Sequence, residues 1–191
     1  LYYLENWTRD RGLNEDILEE EVGKGCVMLD WDGHGSETGA WTKQSGGSAF
    51  VTTDTSPTGT VRTFPVVYSN SCSTGHFDRD GNCLAEDAFR DWAIAVIASS
   101  RVEYYCIDWT DETDPWGQTN DYLFWKEILK NGKTRVGQAL YDSKVAYCSQ
   151  FDGGGTSVDA DGGSRKNVLE YNLFGDPELD MWTDQPTALT V

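Results

Sequence analysis

The sequence predicts an α/β fold with a mostly parallel central sheet. Residues 26–29, 64–68 and 93–98 form short, nearly continuous apolar runs, which are typical of strands buried on both faces of a sheet. Residues 83–90 have a helical pattern and lie between the second and third runs. The order strand, loop, helix, strand is typical of parallel sheets. A length of 191 residues with 38% hydrophobic residues suffices for one domain with a substantial core.

The first half of the chain contains one further predicted helix and a long polar segment. Asn14 is a suitable N-cap for a helix over residues 15–22, which has an apolar stripe. Residues 36–63 are rich in Gly, Ser and Thr, and only residues 49–51 resemble a strand. We therefore predict that this segment is an excursion or lid.

The second half is predicted to be mainly helical. In the helix over residues 83–90, Leu84, Ala88 and Phe89 are expected to face inward. An aromatic loop over residues 101–116 precedes two amphipathic helices, and a Gly-rich loop and a terminal strand follow them. The helices are predicted at residues 120–131 and 135–147, the loop at 151–166, a turn at 172–177 and the strand at 179–182.

The charge of the chain excludes several partners. Its 32 acidic and 15 basic residues give a net charge of −17, which repels nucleic acids and anionic membranes. This acidity suits cationic substrates, calcium or a high-salt habitat. The apolar runs are far shorter than the roughly 20 residues that a membrane-spanning helix needs. Because the chain starts at Leu1 in a helix-like segment, we expect a processed product or a fragment of a longer precursor.

The sequence offers little support for a metal. The five cysteines have no CxxC spacing, and no regular pattern unites Cys72, His34 and His76 as zinc ligands. Residues 78–82 and 159–162 have alternating carboxylates and a glycine, as calcium loops do, but both lack the closing bidentate Glu. No cofactor is expected to be required, and structural calcium stands as an alternative to solvated acidic turns.

A histidine and a cysteine follow two separate predicted strands. Ligands of open parallel sheets bind beyond the carboxyl ends of the strands, which is where His34 and Cys72 are predicted to lie. An imidazole beside a thiol provides a nucleophile and its base. Gly35 allows close backbone approach, and the N–H groups of Gly35 and Cys72 are candidate oxyanion donors. The alternative is that Cys72 is a small buried hydrophobe and His34 an ordinary loop residue.

Five blocks, in order and spacing, resemble the gingipain-type cysteine peptidases. The blocks are Gly33-His34-Gly35-Ser36-Glu37-Thr38 with Trp41, Cys72-x-x-Gly75-x-Phe77, Cys83-Leu84-Ala85-Glu86, residues 93–100, and Leu173-Phe174-Gly175-Asp176-Pro177. The resemblance covers roughly residues 23–182. It departs from the family in a longer, more aromatic loop after residue 98 and in His76, which replaces an acid.

This resemblance implies a caspase-like α/β/α sandwich over residues 1–183. Gln185-Pro186 begins a linker-like exit, so residues 184–191 are predicted to be an exit linker. Cys72 would be the nucleophile, His34 the proton-transferring partner, and the N–H groups of Gly35 and Cys72 the oxyanion donors. The match looks like the later catalytic subdomain of the family. The family's earlier part supplies an acid that orients the histidine, so no residue here is assigned to that role.

The resemblance also implies a set of substrate-binding residues. Asp32, two residues before His34, would attract the Lys or Arg side chain that precedes the cleaved bond, and Asn70, Tyr105 and Trp109 complete the set. The alternatives are that Asp32 faces solvent or binds calcium, and that the aromatic residues pack in a core or lid.

We therefore predict a secreted or cell-surface cysteine endopeptidase that cleaves after basic residues and is made as a zymogen. Its partners would be protein or peptide substrates and an upstream chain from the same precursor. The rival hypothesis is a catalytically silent module of the same fold that serves in binding or assembly.

Overall fold

The computed structural model describes residues 13–42, 45–57, 63–151 and 162–183. The chain divides into two compact units, Leu1–Glu103 with Glu170–Phe174 and Tyr104–Leu169 with Gly175–Val191. In chain order the described elements are α1 (Glu15–Gly23), β1 (Met28–Asp32), β2 (His34–Ser36), β3 (Gly39–Trp41), β4 (Ala49–Thr52), β5 (Val66–Asn70), α2 (Leu84–Asp91), β6 (Ala95–Ser99), α3 (Gly117–Leu129), α4 (Val136–Phe151), α5 (Gly163–Glu170) and β7 (Tyr171–Phe174).

The central sheet of the first unit has the strand order β1-β5-β6-β7. β1, β5 and β6 run parallel, and β7 pairs antiparallel with β6. Every residue of β5 and β6 is buried, which explains why both strands begin as continuous apolar runs. The prediction of a mostly parallel central sheet is confirmed.

Two helices of the first unit follow the predicted pattern closely. Asn14 caps α1, since its Oδ1 accepts a hydrogen bond of 2.9 Å from the Ile17 N–H. In α2, Leu84 and Ala88 are buried as predicted, whereas Phe89 is exposed. The prediction for Phe89 was wrong because that residue lies 100° around the helix from Ala88, beyond the buried face.

A second, three-stranded sheet lies at the start of the segment that the sequence predicts to be an excursion. β2, β3 and β4 pair antiparallel in the order β2-β3-β4. β4 contains the strand-like residues 49–51, whereas β2 and β3 were not predicted, because each has only three residues and includes a glycine with low strand propensity. Burial of Ala40, Phe50 and Val51 in the core of the first unit stabilises them instead.

The second unit contains α3, α4 and most of α5. The first two correspond to the predicted helices, with bounds displaced by a few residues. α5 corrects the prediction of a loop up to residue 166, because the helix begins at Gly163. Residues 179–182 form no strand, and their pairing is an isolated antiparallel bridge between Arg135 and Asp180.

The predicted linker over residues 184–191 lies outside the described residues, and a single subdomain over residues 1–183 remains a prediction. Within the described ranges, we find no helix with the length and apolar character that crossing a bilayer requires.

Candidate active site

The candidate site lies where two parallel strands of the first unit end side by side. β1 and β5 are hydrogen-bonded neighbours, and their last residues, Asp32 and Asn70, are register partners. His34 follows Asp32 by two residues, and Cys72 follows Asn70 by the same interval. The two predicted catalytic residues therefore lie just beyond the same edge of the sheet, after adjacent strands.

Gly35 brings the backbone beside His34 against the turn that holds Cys72. A Cβ atom added at Gly35 would lie 2.5 Å from the Cys72 carbonyl oxygen and 2.8 Å from Ser71 Cβ and Thr74 Cγ2. These separations are too short for any side chain. Glycine is required here by close backbone approach, so the two chain segments are in direct contact.

The turn around Cys72 has an unusual backbone that neighbouring hydrogen bonds hold in place. Ser73 has a φ of 58°, in the left-handed region that non-glycine residues rarely adopt. Its N–H donates to the Arg101 carbonyl at 2.9 Å, and the Gly75 N–H donates to the Ser99 carbonyl at 2.8 Å. The turn is thereby fixed to the end of β6 and the residues that follow it.

The Cys72 thiol is half-buried. Its Sγ lies 3.8 Å from the backbone carbonyl oxygen of Glu103, which accepts a weak S–H hydrogen bond. This environment differs from that of an apolar core cysteine, which was the alternative for Cys72.

His34 belongs to the small antiparallel sheet and is exposed. It pairs with Trp41 on β3, and the two rings stack with centroids 6.1 Å apart and planes at 29°. On its other side, the N–H of Gly33 donates to the carbonyl of Asn70 at 3.0 Å. The imidazole is therefore positioned by the sheet and by one aromatic ring.

Asp32 lies at the exposed end of β1. Protein atoms on its inner side still desolvate the carboxyl group and raise its pKa to about 6, and the nearby His34 opposes this shift. The carboxylate is therefore ionised at neutral pH but protonated under mildly acidic conditions.

The other predicted substrate-binding residues have different surroundings. Asn70 is completely buried, so the predicted direct contact between its side chain and a substrate is not supported. Trp109 and Tyr105 belong to the second unit. There the Trp109 Nε1–H donates to Thr119 Oγ1 at 2.9 Å, while the Tyr105 side chain is exposed.

The sequence did not indicate two buried polar residues near the thiol, Glu103 and Tyr171. The Tyr171 hydroxyl hydrogen-bonds with the Glu103 carboxyl group and with the Asn70 side chain. Tyr171 lies 68 residues from Glu103 and 101 residues from Asn70 along the chain. No local pattern could reveal contacts over such separations.

Charged groups also surround His76, in the segment after Cys72. Its Nδ1 lies 3.5 Å from a Glu37 carboxylate oxygen and its Nε2 lies 3.3 Å from Asp78 Oδ1. Asp78 accepts two hydrogen bonds from Arg101, at 2.9 and 2.7 Å, and this pairing lowers the Asp78 pKa.

These contacts bear on the predicted calcium loops. In the first loop, Arg101 donates hydrogen bonds to both carboxylate oxygens of Asp78, a candidate calcium ligand. In the second loop, residues 159–161 lie outside the described residues, so calcium there stays a prediction. No group of three or more His, Cys, Asp or Glu side chains in the described part is placed to hold a metal ion.

The five cysteines, all of them described, form no disulfide with one another. Burial raises the pKa of Cys26 and of Cys83 to about 11. Burial also raises the pKa of Cys106. At neutral pH Cys26 and Cys83 are therefore almost entirely thiols, which are far less nucleophilic than thiolates.

Comparison with known proteins gives a consistent result. The model of peptidase family C25 matches residues 2–182. Gingipain R2 of Porphyromonas gingivalis is 25% identical over an alignment of 189 residues in length, and the alignment covers 95% of this chain and 23% of that protein. This chain thus spans about a quarter of the length of that curated relative.

Two solved structures have a similar fold. The crystal structure of gingipain R, described as an Arg-specific cysteine proteinase, matches with a TM-score of 0.71 and 19% identity, over 93% of this chain and 38% of that one. A complex of RgpB pro- and mature domains from Porphyromonas gingivalis matches with the same TM-score and identity, over 93% and 39% of the two chains. The predicted fold class is confirmed.

Proposed function

Because this chain belongs to peptidase family C25, we propose that Cys72 and His34 form the catalytic dyad of a cysteine endopeptidase. The predicted resemblance to the gingipain-type cysteine peptidases is thereby confirmed at the level of the family. The observation that carries the proposed dyad is the contact between the Gly35 backbone and the Cys72 turn at the ends of two paired strands.

In the first half of the reaction the Cys72 thiolate attacks the carbonyl carbon of the substrate peptide. A C–S bond forms, and the carbonyl electron pair moves to the oxygen. The N–H groups of Gly35 and Cys72 stabilise that oxyanion, since both belong to the two backbone segments that meet at the site. The protonated His34 then gives its proton to the leaving amine as the C–N bond breaks.

The second half releases the acyl group. His34, now neutral, takes a proton from a water molecule, whose oxygen attacks the thioester. The C–S bond breaks, the peptide acid leaves, and Cys72 recovers its proton or remains as thiolate paired with the imidazolium. In this mechanism His34, on the small antiparallel sheet, takes part in every proton transfer.

Alkylation of the 191-residue chain tests the dyad. With limiting iodoacetamide at pH 7 and peptide mapping by mass spectrometry, we expect Cys72 to react first. The His34→Ala variant should slow this reaction at least about tenfold, because the thiol loses the base that raises its thiolate fraction. The matched control is His76→Ala, which removes the second of the chain's two histidines.

Equal alkylation rates in the two histidine variants would contradict the dyad. That result would favour the rival hypothesis, a catalytically silent module of the same family. Preferred labelling of Cys26 or Cys83 would also count against the dyad, because burial keeps both thiols protonated.

The finer part of the proposal is cleavage after basic residues. Asp32 places a carboxylate at the exposed strand end beside His34, and a net charge of −17 attracts cationic peptides. The gingipain R structure is described as that of an Arg-specific proteinase, which supports the same preference. For Tyr105 and Trp109, a substrate contact is supported by the family resemblance alone.

Peptides that differ only in Arg, Lys, Asp or Leu before the cleaved bond test this preference. The Arg-to-Leu ratio of kcat/KM should increase about tenfold as the pH rises through about 6, because Asp32 then becomes charged. Taking the ratio removes the effect of enzyme groups, such as the catalytic residues, whose titration changes kcat/KM for both peptides equally. In Asp32→Asn the ratio should be low and independent of pH, and fastest cleavage of the Leu peptide would contradict the proposal.

We also propose an extracellular setting and synthesis as a zymogen. The RgpB complex of pro- and mature domains has a chain of similar fold, which supports a pro-segment as partner. Protein or peptide substrates follow from the proposed peptidase activity.

A further inference from the structure

Three buried polar residues connect different parts of the first unit behind the candidate site. Asn70, Glu103 and Tyr171 are 0%, 6% and 1% exposed, and we call them the Tyr171 bracket. The Tyr171 hydroxyl contacts Asn70 Oδ1 on one side and Glu103 Oε2 on the other. The bracket thus joins the end of β5, the segment after β6 and the start of β7.

The number of protons available limits the directions that these hydrogen bonds can take. A tyrosine hydroxyl has one proton, so it cannot donate to two acceptor oxygens at once. Exchanging the amide oxygen and nitrogen of Asn70 resolves this for an ionised Glu103, because Nδ2 then donates to the hydroxyl, and the hydroxyl donates to the carboxylate. The exchange also gives a partner to Nδ2, which otherwise lacks one. Glu103 is therefore held by the Tyr171 hydroxyl.

The bracket reaches both proposed catalytic residues. On the histidine side, the backbone carbonyl of Asn70 accepts a hydrogen bond of 3.0 Å from the backbone N–H of Gly33, the residue before His34. On the cysteine side, the Glu103 carbonyl oxygen lies 3.8 Å from Cys72 Sγ. The Tyr171 hydroxyl bonds the side chain of Glu103, and the Cys72 thiol contacts the backbone carbonyl of the same residue. Holding the side chain therefore restrains the position of that carbonyl group.

We propose that Glu103 and Tyr171 are positioning residues that orient the Cys72 thiol relative to His34. This inference rests on the proposed dyad, but it concerns residues that touch neither the substrate nor the reacting atoms. A buried carboxyl group would be costly without such a partner, and the Tyr171 hydroxyl supplies one. Small displacements of a nucleophile cost large factors in rate.

Tyr171→Phe removes only the hydroxyl and tests the inference directly. We expect kcat to fall about tenfold or more with KM within about twofold of the parent, since orientation and not binding is lost. The rate of Cys72 alkylation by iodoacetamide should fall with it. The matched control is Tyr147→Phe in the second unit, where the buried hydroxyl accepts the Trp116 N–H at 2.8 Å. This control should lower Tm by a similar amount and leave both rates unchanged.

Glu103 provides a second pair of variants. Glu103→Ala removes the acceptor of the Tyr171 hydroxyl and should reproduce the slow rates. Glu103→Gln keeps an amide oxygen in the same place and should restore both rates to within about twofold of the parent. If Glu103→Gln were as slow as Glu103→Ala, or if Tyr147→Phe slowed Cys72 as much as Tyr171→Phe, the positioning role would be refuted.

Alkylation separates this inference from the proposed function, because it needs no peptide cleavage. A parent chain that cleaves no peptide, with Cys72 alkylation slowed in Tyr171→Phe and Glu103→Ala but not in Tyr147→Phe, would count against peptidase activity of this chain and support the bracket. Parent-like alkylation in Tyr171→Phe would refute the bracket whatever the peptidase activity.

Discussion

The two sheets of the first unit hold the two proposed catalytic residues in different ways. β5 and β6 are buried along their whole length, and Cys72 follows the end of β5. β2 has three residues, of which His34 is exposed. The nucleophile thus follows a strand that is buried throughout, whereas the imidazole belongs to an exposed residue of a sheet whose other strands contribute Ala40, Phe50 and Val51 to the core. Changes at the exposed side chain of His34 should therefore affect reactivity more than the free energy of unfolding.

Gly35→Ala should have the largest effect, because Gly35 is where the small sheet meets the Cys72 turn. The added methyl group would lie 2.5 Å from the Cys72 carbonyl oxygen, so one of the two segments must move. We expect kcat/KM to fall about a hundredfold or more and stability to fall by about 1–3 kcal/mol. Thermal unfolding and the alkylation rate of Cys72 measure the two effects.

Gly137→Ala is the matched control for this crowding. Its methyl group would lie 2.5 Å from Pro177 Cβ and 2.7 Å from the Pro177 carbonyl oxygen, within the second unit. It should lower Tm in the same way while leaving the alkylation of Cys72 unchanged. Equal loss of reactivity in both variants would show that global destabilisation, and not the local contact, controls the site.

Trp41→Ala should have a smaller effect, confined to His34. It removes the ring that stacks on the imidazole at 6.1 Å, a contact of about 0.5–1.5 kcal/mol. We expect kcat to fall about two- to tenfold, and Trp41→Phe to recover most of the loss. A pH–rate profile of alkylation reads the change at the histidine, and identical profiles for Trp41→Ala and the parent would exclude a role for the stack.

The parallel sheet could be predicted because its strands contain apolar runs, but their bounds were displaced. The sequence predicted strands at 64–68 and 93–98, whereas the structure has Val66–Asn70 and Ala95–Ser99. Phe64 and Ile94 are apolar but exposed, and the strands continue instead into buried Ser69, Asn70 and Ser99. Hydrophobic periodicity cannot detect such buried polar residues at strand ends.

The proposed dyad could also be located from the sequence, since parallel neighbouring strands end at the same edge of a sheet. The burial of Asn70, which gives no support to the predicted substrate contact, could not be read from the sequence, because its hydrogen-bond partner Tyr171 lies far along the chain. The small antiparallel sheet was missed for a similar reason. Its short strands are stabilised by tertiary burial of residues such as Phe50 and Val51, which no local propensity records.

The buried thiols have a consequence for redox chemistry. Only a thiolate attacks a disulfide, so a cysteine whose pKa is about 11 exchanges very slowly at neutral pH. Cys26 and Cys83 both fall in this class. Their high pKa thereby slows disulfide exchange at two of the five cysteines at neutral pH.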